Sequence, residues 1–205
     1  MKTPRTPLYG LSIALLTSAG LLPHADATTT LVAPGPDHTT IENGEEVYLD
    51  YSSHRINIVD PFTIAYGGSL LNNGTLTNYD TGTLINNDLL NNRLTGTLIN
   101  DFGTLKNNDN LENEGLLTNN AFSTLINDGR LNNYNTLTNN GWLTNNDTLN
   151  NKLYGTDFPG MLINNGTLTN NGTLTNDFGG TLTNDFGGTL TNNGTLDNDI
   201  GSTLT

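Results

Sequence analysis

The sequence predicts an all-β fold, a parallel β-solenoid (β-helix) of short strands with about three strands per coil, and three observations predict it. One phrase, clean as GTLTNN at Gly166 to Asn171, recurs from Leu70 to the end of the chain. Its Leu anchors return at mostly even intervals: of the 19 between Leu70 and Leu204, 11 are six residues, 6 are eight, one is seven and one is thirteen. Asn stands two residues after the Leu in every phrase that has such a position. Units that can bury an apolar face only against their neighbours are the mark of solenoids.

Even spacing matters because side chains of an extended chain alternate faces with period two, so every anchor returns to the same side. A helix would lose that register, and Asn, Gly and Thr are weak helix formers, whereas Thr-Leu-Thr or Thr-Leu-Ile punctuated by Asn-Gly reads as strand and turn. The Leu side becomes the interior, exemplified by Leu76, Leu98, Leu125, Leu137, Leu143, Leu168, Leu174, Leu182 and Leu190. Alternation puts the Asn on that side too, as at Asn139, Asn170, Asn176 and Asn184. A lone buried amide is costly, but identical amides stacked on successive coils can donate and accept along the stack, which predicts an asparagine ladder. In the longer phrases the position four after the Leu should also face inward, and it carries Leu94, Phe178, Phe186 and Ile200, with Phe102 in the seven-residue phrase. Asp80, and Phe122 one place late, depart from that rule. Gly is expected to supply the positive φ of tight corners. At about three strands per coil, the 20 anchors imply about seven coils and, at ~4.8 Å per step, a rod of roughly 34 Å. A flat antiparallel meander is the structural alternative, but six-residue spacing leaves little room for its hairpins.

The flanks differ from the repeat. Lys2 and Arg5 precede a mostly apolar run from Leu8 to Leu22, followed by Ala25-Asp26-Ala27, the pattern of a signal peptide over residues 1–27. A transmembrane anchor fits less well, because Gly10, Ser12, Ser18 and Gly20 interrupt a run shorter than the roughly 20 residues of a bilayer span. Residues 28–69 lack the phrase and hold His38, Glu42, Glu45, Glu46, Asp50, His54, Arg55 and Asp60. Their alternating stretches (Val47, Leu49, Tyr51; Ile56, Ile58, Phe62, Ile64) predict irregular strands capping the solenoid, ahead of a repeat region over 70–205. Pro159 and Gly160 mark a loop near 152–161 that carries Tyr154 and Phe158, candidate binding residues. Gly201 to Thr205 stops inside a phrase, so a fragment of a longer protein is expected.

Composition bounds the chemistry. Seven Lys and Arg against 20 Asp and Glu give a net charge of −13, which disfavours nucleic acid and anionic membrane surfaces as partners and membrane insertion of the processed chain. The absence of Cys removes disulfides, thiolate metal sites and cysteine nucleophiles. With 23 Gly and 35 Asn, a conventional oily core is out of reach and repetition must supply the fold. Asp-Phe-Gly occurs at Asp101, Asp177 and Asp185, but the triplet sits in repeats without the other kinase motifs. His38 and His54 have no partner at metal-ligand spacing, and the glycine-aspartate nonapeptide of calcium-binding β-rolls is missing. No catalytic residue, cofactor or metal is therefore expected.

With the phrases Leu168 to Thr173 and Leu174 to Thr181 in view, residues 65 to 205 resemble the repetitive passenger regions of bacterial autotransporters and filamentous-haemagglutinin-like surface proteins. The resemblance implies a β-helix exposed at the cell surface as adhesin or spacer; the departure is the missing carboxyl-terminal β-barrel. The expected function is a non-enzymatic exported structural or adhesin-like rod, located extracellularly, at the cell surface or in the periplasm. Its partner is open, host-cell or matrix glycans or proteins being the candidates. The alternative is an ice- or crystal-surface-binding solenoid through outward Thr-x-Thr rows, with Thr167, Thr169, Thr173, Thr175, Thr181 and Thr183 as the binding surface. A carbohydrate-active β-helix enzyme is third; it would need at least two convergent carboxylates in a groove.

Overall fold

The phrase Thr-Leu-Thr-Asn makes a four-residue strand because its β-branched Thr face water while Leu and Asn share the inner side. The computed structural model describes residues 40–44, 46–49, 55–58, 61–153 and 159–205, and within them it contains strands and turns but no helix. The expected signal peptide over 1–27, together with His38, His54, Glu45, Asp50, Asp60, Tyr154 and Phe158, lies outside the described residues.

The strands form three parallel sheets of eight, in which each strand pairs with those three places before and after it in the chain. The fold is thus a parallel β-solenoid with three strands per coil, as the phrase predicts. Sheet I runs from Thr40–Ile41 to Thr189–Asn192, sheet II from Glu46–Leu49 to Thr195–Asn198, and sheet III from Arg55–Ile58 to Thr203–Leu204. Seven steps of ~4.8 Å separate the first coil from the last, about 34 Å. Register follows the phrase: Leu84, Leu105, Leu125, Leu143, Leu168 and Leu190 stack in sheet I. The intervals of seven and thirteen are absorbed at corners without a slip, since Leu98 pairs Leu117 and Leu137 pairs Leu162.

Every Leu anchor from Leu70 to Leu182 is buried, and each contributes about 1.5–3 kcal/mol by leaving water. Leu190 and Leu196, in the last coil, are only partly buried because no further coil covers them. Beside the Leu column runs the ladder. In sheet I the amide Nδ2 of each Asn donates to Oδ1 of the next in the order Asn86, Asn107, Asn127, Asn145, Asn170 and Asn192. Sheet II repeats it from Asn72 to Asn198. In sheet III it runs from Asn78 to Asn184, and every rung in the three columns is 2.7 or 2.8 Å. The same Nδ2 also reaches carbonyls at the corner: Asn107 donates to Asp109 and Arg130 as well as Asn127. The amide therefore satisfies backbone acceptors exactly where the chain leaves the sheet ladder.

The strands over residues 40–64, expected as an irregular cap, are wound into the same three sheets as Thr40–Ile41, Glu46–Leu49, Arg55–Ile58 and Phe62–Ile64. Their departure from the phrase falls on the ladder, where Leu49, Ile58 and Ile64 pair with Asn72, Asn78 and Asn86. Aliphatic side chains thus stop the amide stack at this end.

Two expectations about corners are corrected. Phe178 and Phe186, expected inside, are 63% and 102% exposed, and Leu94, Phe102 and Ile200 are also exposed. Alternation fails there because four-residue corners close as β-turns rather than continuing as strand. Gly180 N–H donates to the Asp177 carbonyl at 2.7 Å, and Gly188 to Asp185 at 2.8 Å, so the second residue sits at the outer tip. The inward place belongs to the fourth residue, Gly180, whose added Cβ would lie 2.6 Å from Asn151 O. Second, positive φ falls at the third residue of the Asp-Phe-Gly-Gly turns, Gly179 (+75°) and Gly187 (+92°), and not at the Asn-Gly corners of the repeat. At Gly172 the reason for glycine is space, since a Cβ would collide with the Asp147 carbonyl of the preceding coil.

Chemical denaturation should separate these contributions. Asn127→Ala removes a rung and leaves Asn145 Oδ1 without its donor, at a cost of about 2–3 kcal/mol, whereas Asn108→Ala, on the exposed corner, costs less than about 0.5 kcal/mol. Gly179→Ala, where a Cβ would meet only an ordinary contact with Leu153 at 3.9 Å but φ is positive, costs about 1 kcal/mol, and Gly172→Ala about 3 kcal/mol through overpacking.

Candidate binding surface: two uncharged faces and an aromatic edge

Outward residues occupy the first and third places of each strand, and pairing sorts them into columns. On sheet III, from Thr75 to Thr203, these places hold Thr, Ile, Leu and Met and no charge. On sheet I, from Thr83 to Thr191, the one charge is Lys106, held 3.2 Å from Asp128. Sheet II carries Glu46, Glu112, Arg130 and Asp197 together with Asn91, Asn110, Asn132 and Asn150. From Thr75 onward charge is thus concentrated on sheet II and at the corners, and the two adjoining faces carry only Lys106, paired with Asp128.

The six Thr singled out above do not form one array. Thr167 and Thr169 lie on sheet I, Thr173 and Thr175 on sheet II, Thr181 and Thr183 on sheet III. Six-residue spacing advances one sheet per phrase, so neighbours in sequence are on different faces. On sheet III the paired-Thr strands at Thr136 and Thr181 are separated by Met161 and Ile163, and Leu116 and Met161 project as exposed side chains, while Trp142 projects from sheet I.

Sheets III and I meet at a corner whose residues are scattered in the sequence and adjoin only in the coil. Four consecutive coils place Tyr79, Phe102, Phe122 and Trp142 there, 48%, 55%, 71% and 48% exposed. Tyr79 forms a backbone bridge with Phe102, and the rings of Phe102 and Phe122 lie 6.1 Å apart with planes 10° apart. Trp142 N–H donates to the Ser123 carbonyl beside Phe122. The buried Ser123 hydroxyl in turn accepts the Phe102 N–H at 2.7 Å, a bond that a Gly closing the turn could not make. Among the described residues, the non-glycine positions with positive φ are Asp80 (59°), Phe102 (61°) and Phe122 (66°), all on this edge. A bulky side chain in that region costs on the order of 1–3 kcal/mol, which elsewhere glycine avoids. The signal was present in the sequence as the irregular offsets of Asp80, Phe102 and Phe122, but the sheet assignment was needed to see them stack.

The corner between sheets I and II is always two residues long from Asn87 onward and bears a second, exposed amide stack: Asn108 to Asn87, Asn146 to Asp128, Asn171 to Asn146 and Asn193 to Asn171. A shallow groove there is lined by Asn108, Asp109, Asp128, Arg130 and Asp147. The Asn146 amide holds the Asp128 carboxyl below its ordinary value, burial opposes this, and the hydrogen bond and charge of Lys106 lower it further. That is the state of a hydrogen-bond acceptor rather than of a proton donor. Among the described residues no group of three or more His, Cys, Asp or Glu is placed to hold a metal ion.

The outward tips can be tested directly by thermal unfolding: Phe178→Ala and Phe186→Ala should each cost less than about 0.5 kcal/mol, against about 3–5 kcal/mol for a phenylalanine removed from a packed core. No known protein family, curated protein or solved structure matches the chain.

Proposed function

We propose that the chain is a non-enzymatic exported rod, a structural or adhesin-like element of a cell surface, that makes contact through the neutral faces of sheets I and III. The observation that supports this most is the segregation of charge. The chain's net charge of −13 keeps such rods apart in solution, while sheet III from Thr75 onward offers hydroxyl and aliphatic groups to a partner and sheet I adds Trp142 and the Lys106–Asp128 pair. Export rests on the Lys2–Arg5 and Leu8–Leu22 pattern and on Ala25-Asp26-Ala27. The alternative, binding to ice or another crystal surface, draws on the two successive paired-Thr strands Thr167–Asn170 and Thr189–Asn192 of sheet I. Exposed Trp142 and Met161 break the flatness that a lattice match would need on the remaining coils.

Adhesion of the purified full-length chain to immobilised glycans and matrix proteins measures the idea. Thr138→Lys with Thr183→Lys, on sheet III, should reduce retention at least tenfold, and Asn132→Lys with Asn150→Lys, on sheet II, should leave it unchanged. Equal effects from both pairs would remove the neutral faces from the account, and thermal hysteresis in ice would favour the alternative.

A further inference from the structure

We infer that the aromatic edge between sheets III and I is a binding ridge for a neutral polysaccharide lying along the rod. The inference rests on the surface-rod reading for its biological setting but on separate residues for its chemistry. Exposed rings stand on four consecutive coils, Phe102 beside Phe122 with nearly parallel planes, and these two hold a backbone conformation that elsewhere among the described residues only Gly and Asp80 adopt. Folding alone would favour Gly at both places, so the rings are retained against local backbone preference, which points to a use outside the fold.

The chemistry of the edge selects an amphipathic, uncharged ligand. A pyranose has an apolar face of C–H groups and a rim of hydroxyls. The rings meet the first, and the second finds acceptors in Asp80 and in Asp101, which is held by the Asn120 amide at 3.0 Å. The ~4.8 Å step between coils is close to the advance per sugar of an extended β-linked pyranose chain, so successive sugars can meet successive rings. An anionic chain would face Asp80, Asp101 and the net negative charge of the protein. A peptide strand is less well served, because the N–H groups of Asp80, Asn120 and Trp142 already donate to Asp101, Asn100 and Ser123. The ridge is also convex, which suits a linear polymer laid across it better than an apolar side chain seeking a pocket.

Affinity electrophoresis and pull-down of the full-length chain test this, with cellulose, chitin and soluble starch as neutral probes, polygalacturonate as the anionic one and polystyrene beads as a plain apolar surface. Retention is expected on at least one neutral polysaccharide and not on polygalacturonate. The double variant Phe102→Asn with Phe122→Asn, chosen because Asn accepts positive φ, should weaken it at least tenfold with an unchanged circular dichroism spectrum. Phe186→Asn removes an exposed ring on the same corner, away from the row, and should have no effect. Absence of retention on every neutral probe, or retention indifferent to the double variant, overturns the proposal. Ring-dependent retention equal on polystyrene and polysaccharide overturns it too, in favour of apolar contact with a protein. Adhesion that responds to Thr138→Lys with Thr183→Lys but not to the rings leaves the rod reading standing and the ridge refuted. Ring-dependent polysaccharide binding without surface adhesion does the reverse.

Discussion

The structure depends on one interaction, the donation of each buried Asn amide to the carbonyl oxygen of the Asn one coil further on. A triangular coil must bend three times per turn, and each bend takes backbone groups out of sheet pairing in a place closed to water. Burying those groups unpaired would cost more than the flanking Leu recover. The Asn at the end of each strand resolves this because one Nδ2 serves a ladder rung and corner carbonyls together, as Asn127 does with Asn145, Gly129 and Thr148. The requirement is local to each strand end and identical in every coil. It therefore appears in the sequence as an Asn two residues after each Leu, with no exception in the repeat.

The ladder is also directional. All amide nitrogens point toward the carboxyl-terminal end and all amide oxygens toward the amino-terminal end. The first rung of a column lacks a donor from the coil before it, and Asn78 Oδ1 is left without a partner in this way. Ile58, paired above Asn78, cannot supply a hydrogen. In the other columns the oxygen turns to the backbone of its own corner, Gly74 for Asn72 and Asp88 for Asn86. Aliphatic Leu49, Ile58 and Ile64 thus exchange a little hydrogen bonding for apolar cover at the end of the stack.

What was legible in the sequence follows from what repeats. The Leu column, the ladder and the class of fold rest on an even period, which survives any mixture of six- and eight-residue phrases. The fate of Phe178 and Phe186 was not legible, because alternation describes extended chain and both lie in β-turns that their Gly neighbours permit. Asp177-Phe178-Gly179-Gly180 contains that information in its two Gly, one for φ and one for space, yet the same residue type serves the Asn-Gly corners of the repeat for space alone. The candidate surface was less legible still. Thr167, Thr173 and Thr181 look like one row in sequence and belong to three faces, since each phrase advances by one side of the triangle.

Insertions are not spread evenly, and the unevenness separates architecture from recognition. From Asn87 onward the corner between sheets I and II is fixed at two residues, and every longer corner falls on the other two, including residues 152–160 between Asn151 and Met161. A corner can lengthen without disturbing the coil only if both flanking Asn keep their rungs, and Asn151 does so, reaching Asn176 at 2.8 Å and Gly160 at the far end of its loop. The ladder thereby insulates the stack from what is built on its corners. Strained or exposed side chains such as Phe102 and Phe122 can be carried on an edge because the energy that holds the coils lies a few residues away, in Asn100 and Asn119. A repeat with so little variety inside it can vary its outer chemistry one corner at a time, as the sheet III to sheet I edge does with Tyr79, Phe102, Phe122 and Trp142.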